Sequence, residues 1–193
     1  MHNKKGNKLS IFQKMFLCSL MFLVWSILYY FSPIHTFFSL KNFLLGFSSG
    51  FGVLVVNYFI SRAITVIRRK ENVEYRDYVS PKISKLFDST SIIIVINIFV
   101  AITEEYVFRS YLLSYTNSLF PISLSIAINS IIFYLAHLNS KIVELIIMAI
   151  TFSLITIYTD NMLTPIIAHI TNNVLSVLYK KKLSIRYKKA FRA

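Results

Sequence analysis

Three short patterns in the second half of this chain combine residue types that can do chemistry. The first is Glu104-Glu105-x-x-x-Arg109, the second Phe133-x-x-x-His137, and the third His169-x-x-x-Asn173. On a helix, residues four apart share a face, so Glu105 and Arg109 pair along one side. Glu104 is turned by about 100° from that pair, toward the side that also carries Asn97 and Ala101. Carboxylate, imidazole and carboxamide together are the parts that peptide hydrolysis uses: a base for water, donors for an oxyanion, and an acid for the leaving amine. Glu104, His137 and His169 could equally supply a two-histidine, one-carboxylate zinc set with an open position. The chain has no His-Glu-x-x-His pair, and its residues leave metal participation open. Each pattern also has a plain structural reading. Glu105 and Arg109 make a buried ion pair, His137 is an interfacial histidine near a helix end, and His169, Asn172 and Asn173 join helices by hydrogen bonds.

The segments that carry these patterns are strongly apolar. Of the 193 residues, 55% are hydrophobic, with 17 Phe and 12 Tyr but only 4 Gly and 4 Pro. A soluble domain of this size could not cover so much apolar surface, so lipid must cover part of it. Six segments approach the length of about 20 residues needed to cross a bilayer: 12–31, 43–67, 91–118, 122–138, 142–158 and 162–179. The expected fold is all-α, a polytopic transmembrane helix bundle of about six spans forming one domain over 1–193. Its core is 91–179, with a cytoplasmic loop at 68–90 and a basic cytoplasmic tail at 180–193.

Charge supports this division. The net charge is +13, yet eighteen of the 21 Lys and Arg residues fall in the N-terminal stretch, the 68–90 loop, Lys141 and the tail. With both termini cytoplasmic, only Lys41 lies outside, as the positive-inside rule requires. Clusters between apolar runs argue against a nucleic-acid partner. The run from Met15 to Phe31 reads as a first span rather than a cleaved signal, because no small-x-small site follows it. Cys18 is the single cysteine, so no intrachain disulfide forms. Within the 68–90 loop, Ser80-Pro81 reads as the start of a short surface helix, or the loop is simply solvated. Charges inside spans usually face the bundle interior and function there. Counted along their own spans, Glu104 and His169 reach similar depths. His137 comes out near the inner surface instead, roughly 24 Å from the outer end of its span.

In this order and on apolar segments, the three patterns resemble the CPBP family, also called the abortive-infection or CAAX-protease family. The stretch Leu163-Thr164-Pro165-Ile166-Ile167-Ala168-His169 is also similar. Two departures stand out: Ser110 follows the motif arginine where members often have Gly, and 148–157 contains no Gly. The resemblance implies an intramembrane endopeptidase. Glu104 would be the general base, His137 would hold the water, His169 and Asn173 would stabilise the oxyanion, and Glu105 with Arg109 would hold the helix geometry. It admits both a metalloprotease and a metal-free glutamate mechanism. It implies a membrane-associated or prenylated peptide substrate, with bacteriocin self-immunity or peptide maturation among the roles. Small size and Lys/Ile/Asn-rich composition suggest a bacterial plasma membrane. Two other classes remain: a non-catalytic immunity or regulatory protein that binds another membrane protein, and a small proton-linked transporter.

Overall fold

The computed structural model describes residues 11–69, 90–137 and 142–190, all of them helical or in short connections. Helix α1 spans Ile11–Tyr30, α2 Leu40–Arg69 and α3 Thr90–Glu105. A π-helical segment follows at Tyr106–Leu112 and runs directly into α4 (Leu113–Leu119), so 90–119 is one continuous rod. Then come α5 (Ile122–Ala136), α6 (Ile142–Thr159) and α7 (Leu163–Ala190). The expected surface helix at Ser80-Pro81 and the residue Lys141 lie outside the described residues. Helix α7 continues through the basic residues that follow the apolar run, as far as Ala190.

Long Ile/Leu/Val runs become helices here because a helix satisfies its own backbone without water. Proline marks the joints. Pro121 separates α4 from α5, and Pro165 sits in the first turn of α7, where its missing N–H costs nothing. Asn161 closes the end of the bundle at which α6 turns into α7. Its Oδ1 accepts from Leu163 N at 3.0 Å and Phe37 N at 3.3 Å, while its Nδ2 donates to Phe37 O at 2.9 Å. The connection between α1 and α2 is thereby clamped onto the α6–α7 turn.

Polarity is inverted relative to a water-soluble domain. Large apolar side chains face outward, with Leu23 56%, Phe59 64% and Leu135 51% exposed. Polar ones fill the interior: Ser125, Asn129, Ser153, Thr156, Asn161 and Thr164 are buried. That pattern suits a surface covered by hydrocarbon. Two helices, Leu40–Ile64 and Ile142–Thr159, are long and apolar enough to cross a bilayer by length and composition, and Ser19–Tyr30 and Ile122–Ala136 are shorter apolar helices.

The closest crossing joins α2 to α7. A Cβ on Gly46 would lie 2.5 Å from Thr164 O, and one on Gly50 would lie 2.2 Å from Ala168 O, whereas a Cβ on Gly52 would meet nothing within 4 Å. Glycine at 46 and 50 lets the two backbones touch. Gly50→Ala is therefore expected to lower resistance to denaturant by about 1–3 kcal/mol. Gly52→Ala should be neutral or stabilising, because alanine is the better helix former by about 1 kcal/mol. Unfolding in detergent with denaturant checks both, and equal effects would show that the close crossing is not needed.

Candidate active site

The continuous rod places two adjacent carboxylates on different faces. Glu105 points into the closed interior and is fully buried beside Arg109, also fully buried, with Arg109 Nε 3.2 Å from Glu105 Oε2. The two charges touch without hydrogen-bond alignment, and the guanidinium Nη1 and Nη2 have no hydrogen-bond partner among the described residues. Aromatic faces surround the cation instead, with Arg109 Cζ 4.5 Å from the Phe133 ring centre, 5.6 Å from Phe152 and 5.9 Å from Phe108. Ring quadrupoles attract a desolvated cation by about 2 kcal/mol, partly replacing the missing donors' partners.

Glu104 leaves the rod on the adjacent face and is partly open, with 22% of its side chain exposed. His137 Nε2 lies 3.4 Å from Glu104 Oε1, and His169 Nε2 lies 3.7 Å from Glu104 Oε2. Glu104, Glu105, Arg109, His137 and His169 thus converge. Asn173, one turn beyond His169 on α7, is half-buried and makes no side-chain hydrogen bond among the described residues. Its neighbour Asn172 is used structurally, donating to Met148 Sδ at 3.5 Å.

The apparent mismatch in the depth of His137 disappears in the hairpin. Glu104 precedes the turn at Phe120–Pro121 by as many residues as His137 follows it. Each is therefore about 24 Å along its own helix from that turn. The shared turn sets their alignment, and the place where each span enters the bilayer does not.

Hydrogen-bond bookkeeping assigns the tautomers. His137 Nδ1 is 2.8 Å from Phe133 O, which can only accept, so Nδ1 carries the proton. His169 Nδ1 is 2.6 Å from Glu105 Oε1 and donates to that carboxylate. Both rings therefore turn Nε2 toward Glu104. The sequence reading paired Glu105 with Arg109 alone and missed its second role as the acceptor that orients His169. No spacing rule could show it, since 64 residues separate the two. Phe152 packs on the other side of that imidazole, 5.5 Å away between ring centres.

With Nδ1 as donor, each Nε2 faces the Glu104 carboxylate as a lone pair in the neutral ring and as a second donor in the imidazolium. The same donor types raise the question of zinc. Among the described residues no three His, Cys, Asp or Glu side chains are grouped to hold a metal ion. Glu104 also turns a different oxygen to each ring, so the lone pairs do not meet at one point. This geometry does not fit a metal centre, and no chemistry is routed through one below.

An apolar cavity of about 310 Å³ reaches Glu104, lined by Leu20, Met21, Val24, Val100 and Thr103. Helix α1 forms one wall of it. Three bonds from the π-helical segment hold the end of α1 and the following connection. Tyr106 Oη lies 2.8 Å from Thr36 Oγ1, Tyr111 Oη donates to Leu28 O at 2.9 Å, and Ser110 Oγ lies 2.6 Å from Ser32 Oγ. Ser110, the departure from the usual glycine, is thus a fully buried contact to that connection.

Residues 86–175 match the family model described as type II CAAX prenyl endopeptidase Rce1-like. No curated protein and no solved structure matches the chain. The matched stretch holds Glu104, Glu105, Arg109, His137, His169 and Asn173, and leaves α1 and α2 outside. A carboxylate flanked by two oriented imidazoles, on the helices that carry this match, agrees with the resemblance read from the three patterns. Over residues 86–175 the chain is similar to the CPBP, or CAAX-protease, family, a family of integral membrane proteins.

Proposed function

We propose that this protein is an intramembrane endopeptidase that hydrolyses a peptide bond in a membrane-associated or lipidated peptide, with Glu104 as its general base. The observation that carries this reading is the convergence of both imidazole Nε2 atoms on the partly open Glu104 carboxylate. Water held by Glu104 and His137 gives a proton to Glu104 as its oxygen attacks the carbonyl carbon. His169, as imidazolium held by Glu105, donates through Nε2 to the oxyanion, and the Asn173 amide adds a second donor. Collapse breaks the C–N bond, and Glu104 returns its proton to the leaving amine, so one water is consumed per bond cut. Glu105 and Arg109 hold the helix and the His169 ring.

The arrangement in the bilayer follows from the two ends of the bundle. Exposed aromatics gather at the end with the 31–39 and 120–121 connections: Tyr30, Phe31, Phe38, Tyr115 and Tyr158. The opposite end carries Arg68, Arg69 and the basic stretch of α7. Aromatic residues favour the membrane interface, and Lys and Arg favour the cytoplasmic side. Six spans with both termini cytoplasmic satisfy both preferences. The apolar cavity beside Glu104 suits a substrate presented from the bilayer, such as a prenylated peptide. Bacteriocin self-immunity and peptide maturation in a bacterial plasma membrane are both served by such cleavage.

The test is cleavage of a panel of fluorogenic prenylated and unprenylated peptides by detergent-purified protein, beside Glu104→Gln. Metal content and chelator sensitivity are measured in the same samples and are expected to show no metal requirement. Equal signals from both proteins across the panel would favour the non-catalytic membrane partner.

A further inference from the structure

We propose that Asn129 is a positioning residue that sets His137 against Glu104 by pinning the π-helical segment, an inference that rests on the peptidase reading above. Asn129 is fully buried on α5, and its Nδ2 donates to the backbone carbonyl of Phe108. That carbonyl already accepts the N–H of Leu113, five residues on, which is the bond that closes the π turn. π-helical turns are rare and are found mostly where function requires them. A second donor on the same carbonyl supports this register against relaxation to ordinary α winding, which would rotate Phe108, Arg109 and Ser110 about the rod.

Spacing shows what the contact controls. Asn129, Phe133 and His137 are four apart on one face of α5, and each meets the rod in turn. Asn129 reaches Phe108 O, and the Phe133 ring packs on Phe108 at 4.9 Å and beneath Arg109. His137 then reaches Glu104. His137 is also the residue at which α5 ends, with φ −112° and ψ 32°. Among the described residues its one other side-chain hydrogen bond, to Phe133 O, is internal to its own helix. Its described local contacts, the Phe133 carbonyl and ring, lie on its own helix, so its place against Glu104 follows the axial register of α5. Asn129, about 12 Å away along the helix, is the polar contact that sets this register. The Asn129 Oδ1 atom has no partner among the described residues, so the amide is retained at the cost of an acceptor left orphaned there. Packing alone would favour a leucine there.

The test compares Asn129→Leu with Ser130→Ala, the next residue on α5, whose hydroxyl bonds only within its own helix, to Ile126 O at 2.8 Å. Leucine removes donor and orphaned acceptor together, and the Phe108 carbonyl keeps its Leu113 donor, so Asn129→Leu is expected to fold. A shift of about 1 Å at a reacting group lowers turnover by about a hundredfold. Expected is a kcat lower by about 10- to 100-fold with KM within about twofold, and no change of either in Ser130→Ala. Histidine-labelled NMR in micelles reads position without catalysis, and the His137 ring signals should move in Asn129→Leu and stay in Ser130→Ala. Asn129→Ser, whose hydroxyl is too short to reach the carbonyl, should repeat the pattern without placing leucine in the interior. Wild-type kcat and unmoved His137 signals would overturn the proposal, as would activity lost only in proportion to folded protein. A wild type that cleaves nothing refutes the peptidase reading instead, and the NMR comparison still decides whether Asn129 places His137.

Discussion

Glu104→Gln protein is expected to accumulate in the membrane, unfold at the wild-type denaturant concentration or above it, and lose about 10³- to 10⁴-fold in kcat. General acid–base groups are worth about 10²- to 10⁴-fold, and Glu104 is proposed to serve twice, first taking the proton of water and then returning it to the amine. Glutamine keeps the volume and removes the base. Folding should not suffer, for a reason visible in the site. Both imidazoles turn Nε2 toward this side chain at 3.4 and 3.7 Å. A glutamine amide fills the same space and offers an N–H donor and a carbonyl acceptor, so it can meet Nε2 in either role. Single-turnover cleavage and a denaturant titration on the same preparation check both halves. A Gln variant that cuts within tenfold of wild type would remove Glu104 from the chemistry.

Arg109→Ala should have the largest effect on stability, about 3–5 kcal/mol. Arg109 and Glu105 are both fully buried and touch at 3.2 Å. Truncating the arginine leaves a carboxylate in the interior facing only the His169 ring, and it vacates the space enclosed by Phe108, Phe133 and Phe152. Replacing both partners by apolar residues of similar volume, Arg109→Met with Glu105→Met, removes the unpaired charge and should recover most of that loss. The double variant should still be inactive, because His169 then loses the acceptor that sets its tautomer. Denaturant unfolding of the two single variants and the double variant gives the coupling between them. If Arg109→Ala costs less than about 1 kcal/mol, comparable to an exposed pair, the buried ion pair is not what holds this layer together.

How much of this was legible beforehand depends on the range of each interaction. Glu105 with Arg109 could be read from four-residue spacing because helix geometry is local. The helical class followed from apolar runs that must satisfy their own backbone in lipid. Gly46 and Gly50 carried a spacing signal that points to a close crossing, but nothing in the chain named Thr164 and Ala168 as what they touch. Asn129 lay two turns before His137 in the same pattern, and it drew no notice because a buried asparagine has no meaning until its partner is known. The alignment of His137 with Glu104 was misjudged when depth was counted from span ends, since the common turn at Pro121 governs it.

By itself, then, the sequence determined the apolar helices, the ion pair within one of them, and the three polar patterns whose order marks the family. Those are properties of composition and of neighbours within a few residues. Only the tertiary structure decided that Glu105 also holds His169, that both imidazoles turn Nε2 toward Glu104, and that a π-helical turn is braced from α5. Each of these joins residues about 20 to 65 positions apart. Helical periodicity says which way a side chain leaves its own axis, but not which other helix lies there.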